Sequence, residues 1–158
     1  MGYEIERKFL VRGDYKSQSF NSFSIKQGYL SLSGISVIRI RIKGEKAFIT
    51  VKSALAEGKI KRHEWEYEIP VKDAEEMLLL CENTRVEKTR YLVDYGSHLF
   101  EVDEFYGDNE GLVIAEIELE DEDEPFDRPG WLGDEVTGNV RYYNSFLSAH
   151  PYKEWSGE

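Results

Sequence analysis

The chain has 158 residues, of which 41% are hydrophobic and 13% aromatic, a composition typical of a folded globular protein rather than a disordered one. Its formal net charge of −11 argues against a general nucleic-acid binder, because phosphate backbones select basic surfaces. Cys81 is the only cysteine and no stretch is apolar enough for a signal peptide or a membrane span, so we expect one soluble, cytoplasmic domain over residues 1–158.

The first predicted strand, residues 3–11, places Glu4, Glu6 and Lys8 on one face, because successive side chains of a strand point to opposite sides. Glu4 and Glu6 would then lie roughly 7 Å apart along the strand. Two carboxylates at that spacing can converge on one hard cation and leave the ammonium to meet an anion beyond it. Taken alone, the pattern is more typical of a solvated strand face, but later strands repeat it.

The next three predicted strands form hairpins with the same kind of alternation. The second covers residues 24–31, with a bend or bulge at Gly28, and Ser33-Gly34 turns the chain into the third. The third strand opposes an apolar and a basic face, Ile38, Ile40 and Ile42 against Arg39, Arg41 and Lys43. The fourth carries Lys52 in phase with Thr50, and a loop around Gly58 follows it.

The second half of the chain continues the pattern with acidic and basic strands. The fifth strand, residues 62–69, has an acidic face of Glu64, Glu66 and Glu68, and Asp73 with Glu76 predicts a capping box at the start of a short helix. Three further strands follow at 85–93, 99–106 and 112–120, and their in-phase charged residues are Lys88 and Arg90, then Glu101 and Asp103, then Glu116, Glu118 and Glu120. Residues 129–133 are expected to form a turn, and residues 141–149 a C-terminal helix.

Eight strands at hairpin spacing, with one early and one late helix, predict a β-barrel or a closed sandwich. Cations and acids each occur in pairs on single strands, whereas a face selected only for solubility would intersperse the two signs. If the sheet closes, the charged face must line the interior and the apolar face must meet the helices. A dry interior of this kind would be too costly for unpaired ions, so we expect a water-filled tunnel that holds a divalent metal and a polyanion.

Residues 3–10, Tyr-Glu-Ile-Glu-Arg-Lys-Phe-Leu, resemble the E-x-E-x-K signature of the CYTH superfamily, the triphosphate tunnel metalloenzymes, and are most similar to its small bacterial members. The resemblance continues in order through residues 26–30, 39–41, 50–52, 66–69, 86–91, 100–103, 115–118, 135–137 and 141–144. It implies a mainly β (α+β) fold, a closed eight-stranded antiparallel β-barrel that forms a tunnel, with a few flanking helices.

The resemblance also implies an activity, the hydrolysis of inorganic triphosphate to pyrophosphate and phosphate. The alternatives that use the same phosphate grip are a class IV-type adenylate cyclase and a nucleoside or thiamine triphosphatase. The alternative of another class is a non-catalytic module that binds polyphosphate or nucleotide. Loss of a metal carboxylate would mark such a module, and none of the expected ones is missing.

On this resemblance, the substrate is a small polyanion, gripped by the six in-phase cations Lys8, Arg39, Arg41, Lys52, Lys88 and Arg90. Tyr29 either stacks at an entrance, gates it, or packs in the core. No nucleic acid or membrane is expected as a partner, and the protein is expected to be a monomer or a homodimer.

The same resemblance implies Mg²⁺ or Mn²⁺ as cofactor, with oxygen ligands from Glu4, Glu6, Asp103, Glu116 and Glu118. Glu64 and Glu66 either complete a second metal site or balance the arginines. Lys52 is the candidate for steering or deprotonating the attacking water, and Glu4 and Glu6 are catalytic through the metal they hold.

Overall fold

A computed structural model describes residues 2–32, 35–53, 61–81 and 85–155. The chain forms nine strands and two α-helices in these ranges: β1 (Gly2–Val11), β2 (Asn21–Leu32), β3 (Ser36–Lys43), β4 (Lys46–Ser53), β5 (Lys61–Ile69), α1 (Val71–Leu79), β6 (Val86–Tyr95), β7 (His98–Phe105), β8 (Val113–Glu118), β9 (Leu132–Glu135) and α2 (Asn144–Ala149). The predicted turn at Ser33-Gly34 and most of the predicted loop around Gly58 lie outside the described residues.

The strands form one antiparallel sheet that closes on itself. The order is β5-β4-β3-β2-β6-β7-β8-β1-β9, and an additional pairing of β5 with β1 completes a barrel of eight strands. The first half of β1 pairs with β5, from Gly2↔Glu64 to Ile5↔Lys61, while its second half pairs with β8. The ninth strand, β9, then pairs with the end of β1 beyond the point where β5 stops, and so lies outside the barrel. The predicted closed barrel is therefore confirmed.

Apolar side chains cover the outside of this barrel in two clusters. One lies where Phe9 of β1 and Phe100 of β7 pack against Trp131 near β9. The other lies beneath α1, where Ala74 and Leu78 pack on the β3–β4 hairpin. Helix α1 and the β9 segment therefore cover the apolar faces of the strands, and the charged faces point into the barrel. No helix in the described part of the chain is long and apolar enough to cross a lipid bilayer.

A third apolar cluster closes one end of the barrel interior. Phe105 and Ile114 continue the inner faces of β7 and β8 beyond Asp103 and Glu116, because each lies two residues from its charged neighbour. They pack with Leu112, Val86 and Leu147, and Leu147 belongs to α2. The short C-terminal helix therefore caps this end, and the charged part of the interior is a cavity that ends against an apolar layer.

Three local predictions were wrong. Leu132 and Gly133 belong to β9 rather than to a turn, because the bidentate contact of Arg7 with Glu135 fixes this segment against β1. Helix α1 begins at Val71 after Pro70 without any side-chain cap, so no capping box forms. The irregularity in β2 falls between Tyr29 and Ser31, whereas Gly28 stays in register with Ile40.

Candidate functional site

The charged inner face encloses a cavity of about 310 Å³. The described side chains lining it include eight basic residues, Lys8, Arg39, Arg41, Lys43, Lys52, Arg62, Lys88 and Arg90. They also include seven acidic residues, Glu4, Glu6, Glu64, Glu66, Glu101, Glu116 and Glu118. A protein with a net charge of −11 thus holds a cavity in which cations slightly outnumber acids, so this space is electrically distinct from the rest of the molecule.

Three carboxylates converge at the junction of β1 and β8. Glu4, Glu6 and Glu118 each offer an oxygen, and these oxygens lie within 4.8 Å of one another. The pairing Glu6↔Glu118 sets two of them side by side, and the alternation of β1 adds Glu4 on the same face. Burial, together with the negative charges of Glu116 and Glu4, raises the pKa of Glu6 to about 8. The cluster is therefore an arrangement of like charges that a cation would stabilise.

Glu4 is the member of this cluster that cations already hold. Lys52 Nζ donates to its Oε1 at 2.8 Å, and Arg62 Nε donates to its Oε2 at 3.2 Å. Burial opposes ionisation here, but these two cations lower the pKa of Glu4 to about 2. Glu118, in contrast, is exposed and makes no ion pair with any residue that the structure describes.

A second group of ion pairs lies deeper in the barrel. Asp103 is 1% exposed and accepts from Lys88 Nζ at 2.6 Å and from Arg90 Nε at 2.8 Å. Burial and the positive charges of Arg90 and Arg41 lower the pKa of Lys88 to about 7 in spite of that ion pair. Nearer the carboxylate cluster, Lys8 Nζ donates to Glu116 at 2.9 Å. The five predicted metal carboxylates therefore divide into three that converge and two, Asp103 and Glu116, that are held by cations.

Arg39 and Arg41 are buried cavity cations with little compensation from carboxylates. Arg39 approaches Glu66 only at 3.6 Å, and its buried Nε has no hydrogen-bond partner among the described residues. Arg41 forms no ion pair within the described chain, and its Nε donates instead to the amide oxygen of Gln27 at 2.8 Å. Burial, with Arg39 and Arg90 nearby, lowers the pKa of Arg41 to about 9. Two buried guanidiniums with spare donors form a site suited to an anion.

The remaining predicted residues also face the cavity. Glu64 lies 3.4 Å from Lys52 Nζ and so contacts a cavity cation directly. Glu66 accepts a hydrogen bond from Thr50 Oγ1 at 2.9 Å. Neither belongs to the group of converging carboxylates among the described residues. Tyr29 is 6% exposed and lines the cavity beside Arg39, its cross-strand partner.

Several residues that line the cavity were given no role from the sequence. Arg62 lies on β5 two residues before Glu64, so its phase on that strand was a usable signal. Tyr143, Asn144 and Ser145 come from the start of α2, where no periodic pattern connects them to the strands. Lys8 Nζ lies 5.1 Å from the centre of the Tyr143 ring.

The converging carboxylates fit a hard divalent cation. Two oxygens on opposite sides of such an ion are about 4.0–4.2 Å apart for Mg²⁺ and about 4.6–5.2 Å apart for Ca²⁺. The oxygens of Glu4, Glu6 and Glu118 all lie within 4.8 Å of one another, which is close to these separations. An all-oxygen donor set without His or Cys suits Mg²⁺ or Mn²⁺ better than a softer metal.

Known proteins share this architecture over nearly the whole chain. An inorganic triphosphatase of Acetivibrio thermocellus is 47% identical over 156 residues, which cover 98% of this chain and 99% of that protein. An inorganic triphosphatase of Nitrosomonas europaea is 40% identical over 151 residues, covering 92% and 96%. A crystal structure of an inorganic triphosphatase superposes with a TM-score of 0.69 at 36% identity, covering 94% of this chain and 96% of the other.

The family model that matches this chain is that of the CYTH domain, and it spans residues 2–145, from β1 to the first turn of α2. The match therefore includes every strand and every cavity-lining residue described above. The chain belongs to the CYTH domain family.

Proposed function

We propose that this protein hydrolyses inorganic triphosphate to pyrophosphate and phosphate inside its barrel. The observation that carries the proposal is the segregation of charge in one cavity, where two weakly compensated arginines, Arg39 and Arg41, line the same space as a cluster of converging carboxylates. The relatives that are 47% and 40% identical are both named inorganic triphosphatases, which supports the same substrate here. We further propose a cytoplasmic monomer or homodimer that binds neither nucleic acid nor membrane.

The cavity cations bind and orient the polyanion. Arg39 and Arg41 have donors to spare and grip phosphate oxygens with planar, two-pronged contacts. Arg90 and Lys88 share the carboxylate of Asp103, and Arg90 also donates to Glu101 at 3.3 Å. Lys8 adds a point charge beside Glu116. Catalysis of phosphoryl transfer consists largely of such positioning and charge stabilisation.

Glu4, Glu6 and Glu118 are the residues that would hold a divalent cation, with Glu116 close enough to raise the pKa of Glu6. Such an ion, when bound, would supply Lewis-acid stabilisation of the negative charge that develops on the phosphate oxygens. Asp103 contributes by fixing Lys88 and Arg90 rather than by reaching into this cluster. Glu64 and Glu66 balance Lys52 and Arg39 in the same way.

Lys52 is placed to orient the attacking water. Its ammonium lies between Glu4, at 2.8 Å, and Glu64, at 3.4 Å, on the side of the cavity where the carboxylates converge. An ammonium has three donors, so one remains for a water or a phosphate oxygen after both carboxylates are satisfied. We propose that this donor holds the water in line with the phosphorus that it attacks.

A substrate panel tests the proposed activity. The purified protein is incubated with tripolyphosphate, ATP or thiamine triphosphate, each with Mg²⁺, Mn²⁺ or EDTA, and the release of phosphate is measured. We expect tripolyphosphate to be hydrolysed at least about tenfold faster than the organic triphosphates, because the only described aromatic rings lining the cavity are Tyr29 and Tyr143. We expect EDTA to abolish the release.

Other outcomes of the same panel support other functions. Faster hydrolysis of ATP, or formation of cyclic AMP from it, would replace the proposal with a nucleotide-directed activity. Tight binding of tripolyphosphate with no release of phosphate under any metal would make the protein a non-catalytic polyphosphate-binding module.

A further inference from the structure

Two side-chain amides, those of Gln27 and Asn144, lie at the closed end of the cavity among its cations. Gln27 is 1% exposed and is the cross-strand partner of Arg41. Asn144 is the first residue of α2 and lines the cavity. The two amides contact each other, since Gln27 Nε2 donates to Asn144 Oδ1 at 3.3 Å. Neither residue carries a charge or a nucleophile, so the phosphate grip described above does not include them.

Each amide accepts a hydrogen bond from a cation. Arg41 Nε donates to Gln27 Oε1 at 2.8 Å, and Lys88 Nζ donates to Asn144 Oδ1 at 2.9 Å. Guanidinium and ammonium groups can only donate, so the oxygens of both amides must face them. This fixes the orientation of each amide and leaves Nδ2 of Asn144 as a free donor in the described network.

The chemical identity of these acceptors is unusual for this cavity. Other cations around it are held by carboxylates: Lys8 by Glu116, Lys52 by Glu4, and Arg90 by Asp103. Lys88 shares the Asp103 carboxylate with Arg90 and has the Asn144 amide as a second acceptor, whereas Arg41 has the Gln27 amide and no carboxylate among the described residues. A carboxylate at either position would hold its cation equally well but would cancel its charge. An amide satisfies the hydrogen-bond donor and leaves the positive charge to interact with a bound anion.

We propose that Gln27 and Asn144 are positioning residues of the phosphate grip, which hold Arg41 and Lys88 in place without adding negative charge to the anion site. The inference rests on the proposed binding of a polyphosphate in this cavity. Asn144 also ties α2 to the grip, so the helix that caps the barrel end is linked to the anion site.

The test replaces each amide by its nearly isosteric acid, Gln27→Glu and Asn144→Asp. The affinity for tripolyphosphate without metal is measured by calorimetry, and KM and kcat are measured with Mg²⁺. We expect each variant to weaken binding and raise KM about tenfold or more, because a carboxylate next to a buried cation competes with the phosphate. We expect kcat to change by less than about threefold, because the grip acts on the bound substrate as well as on the transition state.

An apolar variant separates the effect of charge from that of shape. Gln27→Met keeps the length of the side chain and removes the hydrogen bond without adding charge, so it should weaken binding less than Gln27→Glu. If Gln27→Met weakens binding as much as or more than Gln27→Glu, neutrality of the acceptor is not what matters and the inference is overturned. Unchanged affinity and KM in folded Gln27→Glu and Asn144→Asp would overturn it as well.

Gln18→Glu is the matched control, because Gln18 is exposed outside the barrel and its oxygen accepts from Trp131 Nε1, which a carboxylate oxygen can also do. It should leave both affinity and KM unchanged. If the wild-type protein binds tripolyphosphate but does not hydrolyse it, the proposed activity is refuted. The affinity measurements would still test the proposed role of Gln27 and Asn144. Asn144 is only half-buried, so if Gln27→Glu fails to fold, the Asn144→Asp variant still tests the inference.

Discussion

Glu6 is a residue whose surroundings oppose its own charge. Its closest cation is Lys8, whose Nζ lies at 3.8 Å, and that ammonium already donates to Glu116 at 2.9 Å. Burial and the charges of Glu116 and Glu4 raise the pKa of Glu6 to about 8. In the absence of a bound cation, a carboxylate in this position lowers the free energy of unfolding. Functional sites commonly contain residues that reduce stability in this way.

We therefore expect Glu6→Gln to stabilise the metal-free protein and to disable the enzyme. At neutral pH a carboxyl group with this pKa must take up a proton when the chain folds, and Gln removes that cost, so the Tm in EDTA should rise by roughly 2–4 °C, the shift that about 1 kcal/mol produces in a domain of this size. Mg²⁺ should raise the Tm of the wild type but not that of the variant, because the ion binds only the intact carboxylate cluster. Hydrolysis of tripolyphosphate should fall at least about a hundredfold. Thermal melts with and without Mg²⁺, together with phosphate release, check each part.

Glu75→Gln serves as the control, because Glu75 is exposed on α1 and carries the same change of charge. It should respond to Mg²⁺ as the wild type does. An equal rise of Tm with Mg²⁺ in wild type and Glu6→Gln would remove Glu6 from the metal site.

Strand β9 is held outside the barrel by a small number of polar contacts. Arg7 donates to both oxygens of Glu135, at 2.8 Å and 2.6 Å, and Thr137 Oγ1 accepts from the backbone N–H of Lys8 at 2.8 Å. The Arg7 guanidinium also lies 5.1 Å from the centre of the Phe126 ring. These contacts attach the segment that leads to Tyr143 onto the back of β1.

The pH dependence of stability reports on this attachment. The hydrogen bond from Arg7 lowers the pKa of Glu135 below its ordinary value of 4.5. A carboxyl group with a depressed pKa in the folded state contributes stability above its unfolded pKa and loses that contribution as the pH falls through its folded pKa. Glu135→Gln should therefore cost about 0.5–1 kcal/mol at pH 7, a discounted figure for a partly exposed pair, and less at pH 3, because the contribution is lost as the pH falls through the folded pKa. Urea unfolding of both proteins at the two pH values measures the difference, and an equal cost at both would contradict the assignment.

The contact of α1 with the barrel depends on Gly28 in β2. A Cβ added there would lie 2.4 Å from Cys81 Cβ and 3.3 Å from Leu78 Cδ2. Gly28→Ala should therefore destabilise the fold by about 1–3 kcal/mol through overpacking beneath the helix. Gly130→Ala is the control, because a Cβ at Gly130 meets nothing within 4 Å. Equal stability of the two variants in chemical denaturation would refute the close contact of Gly28 with Cys81 and Leu78.

For the whole molecule, alternation in the sequence predicted a β-barrel or a closed sandwich whose charged face points inward if the sheet closes, and the resemblance to the CYTH superfamily selected the eight-stranded barrel. The paired cations of β3 and β6 and the paired acids of β1 and β8 each line the one cavity. The prediction succeeded because a strand has only two faces. Once the apolar face packs outside the barrel, the charged face must point into it. Arg62 followed the same rule and was overlooked.

Features that depend on contacts between distant segments could not be predicted in this way. The four residues of β9 include Gly133 and Asp134, which have low strand propensity, and the strand forms because Arg7 pairs with Glu135 across 128 positions. Gln27 and Asn144 are 117 positions apart and meet only because α2 folds across the barrel end. The division of the carboxylates into converging and paired groups likewise follows from the register between strands, which alternation alone does not fix.

The central claim is that the closed sheet binds a triphosphate and a divalent cation together on its inner face. A crystal structure with tripolyphosphate and Mn²⁺, with anomalous data to locate the metal, tests it most directly. We expect the Mn²⁺ peak among the carboxylates of Glu4, Glu6 and Glu118, and phosphate oxygens against the guanidiniums of Arg39 and Arg41. A metal and polyanion bound only on the outer surface of the barrel, with the cavity holding neither, would contradict the account.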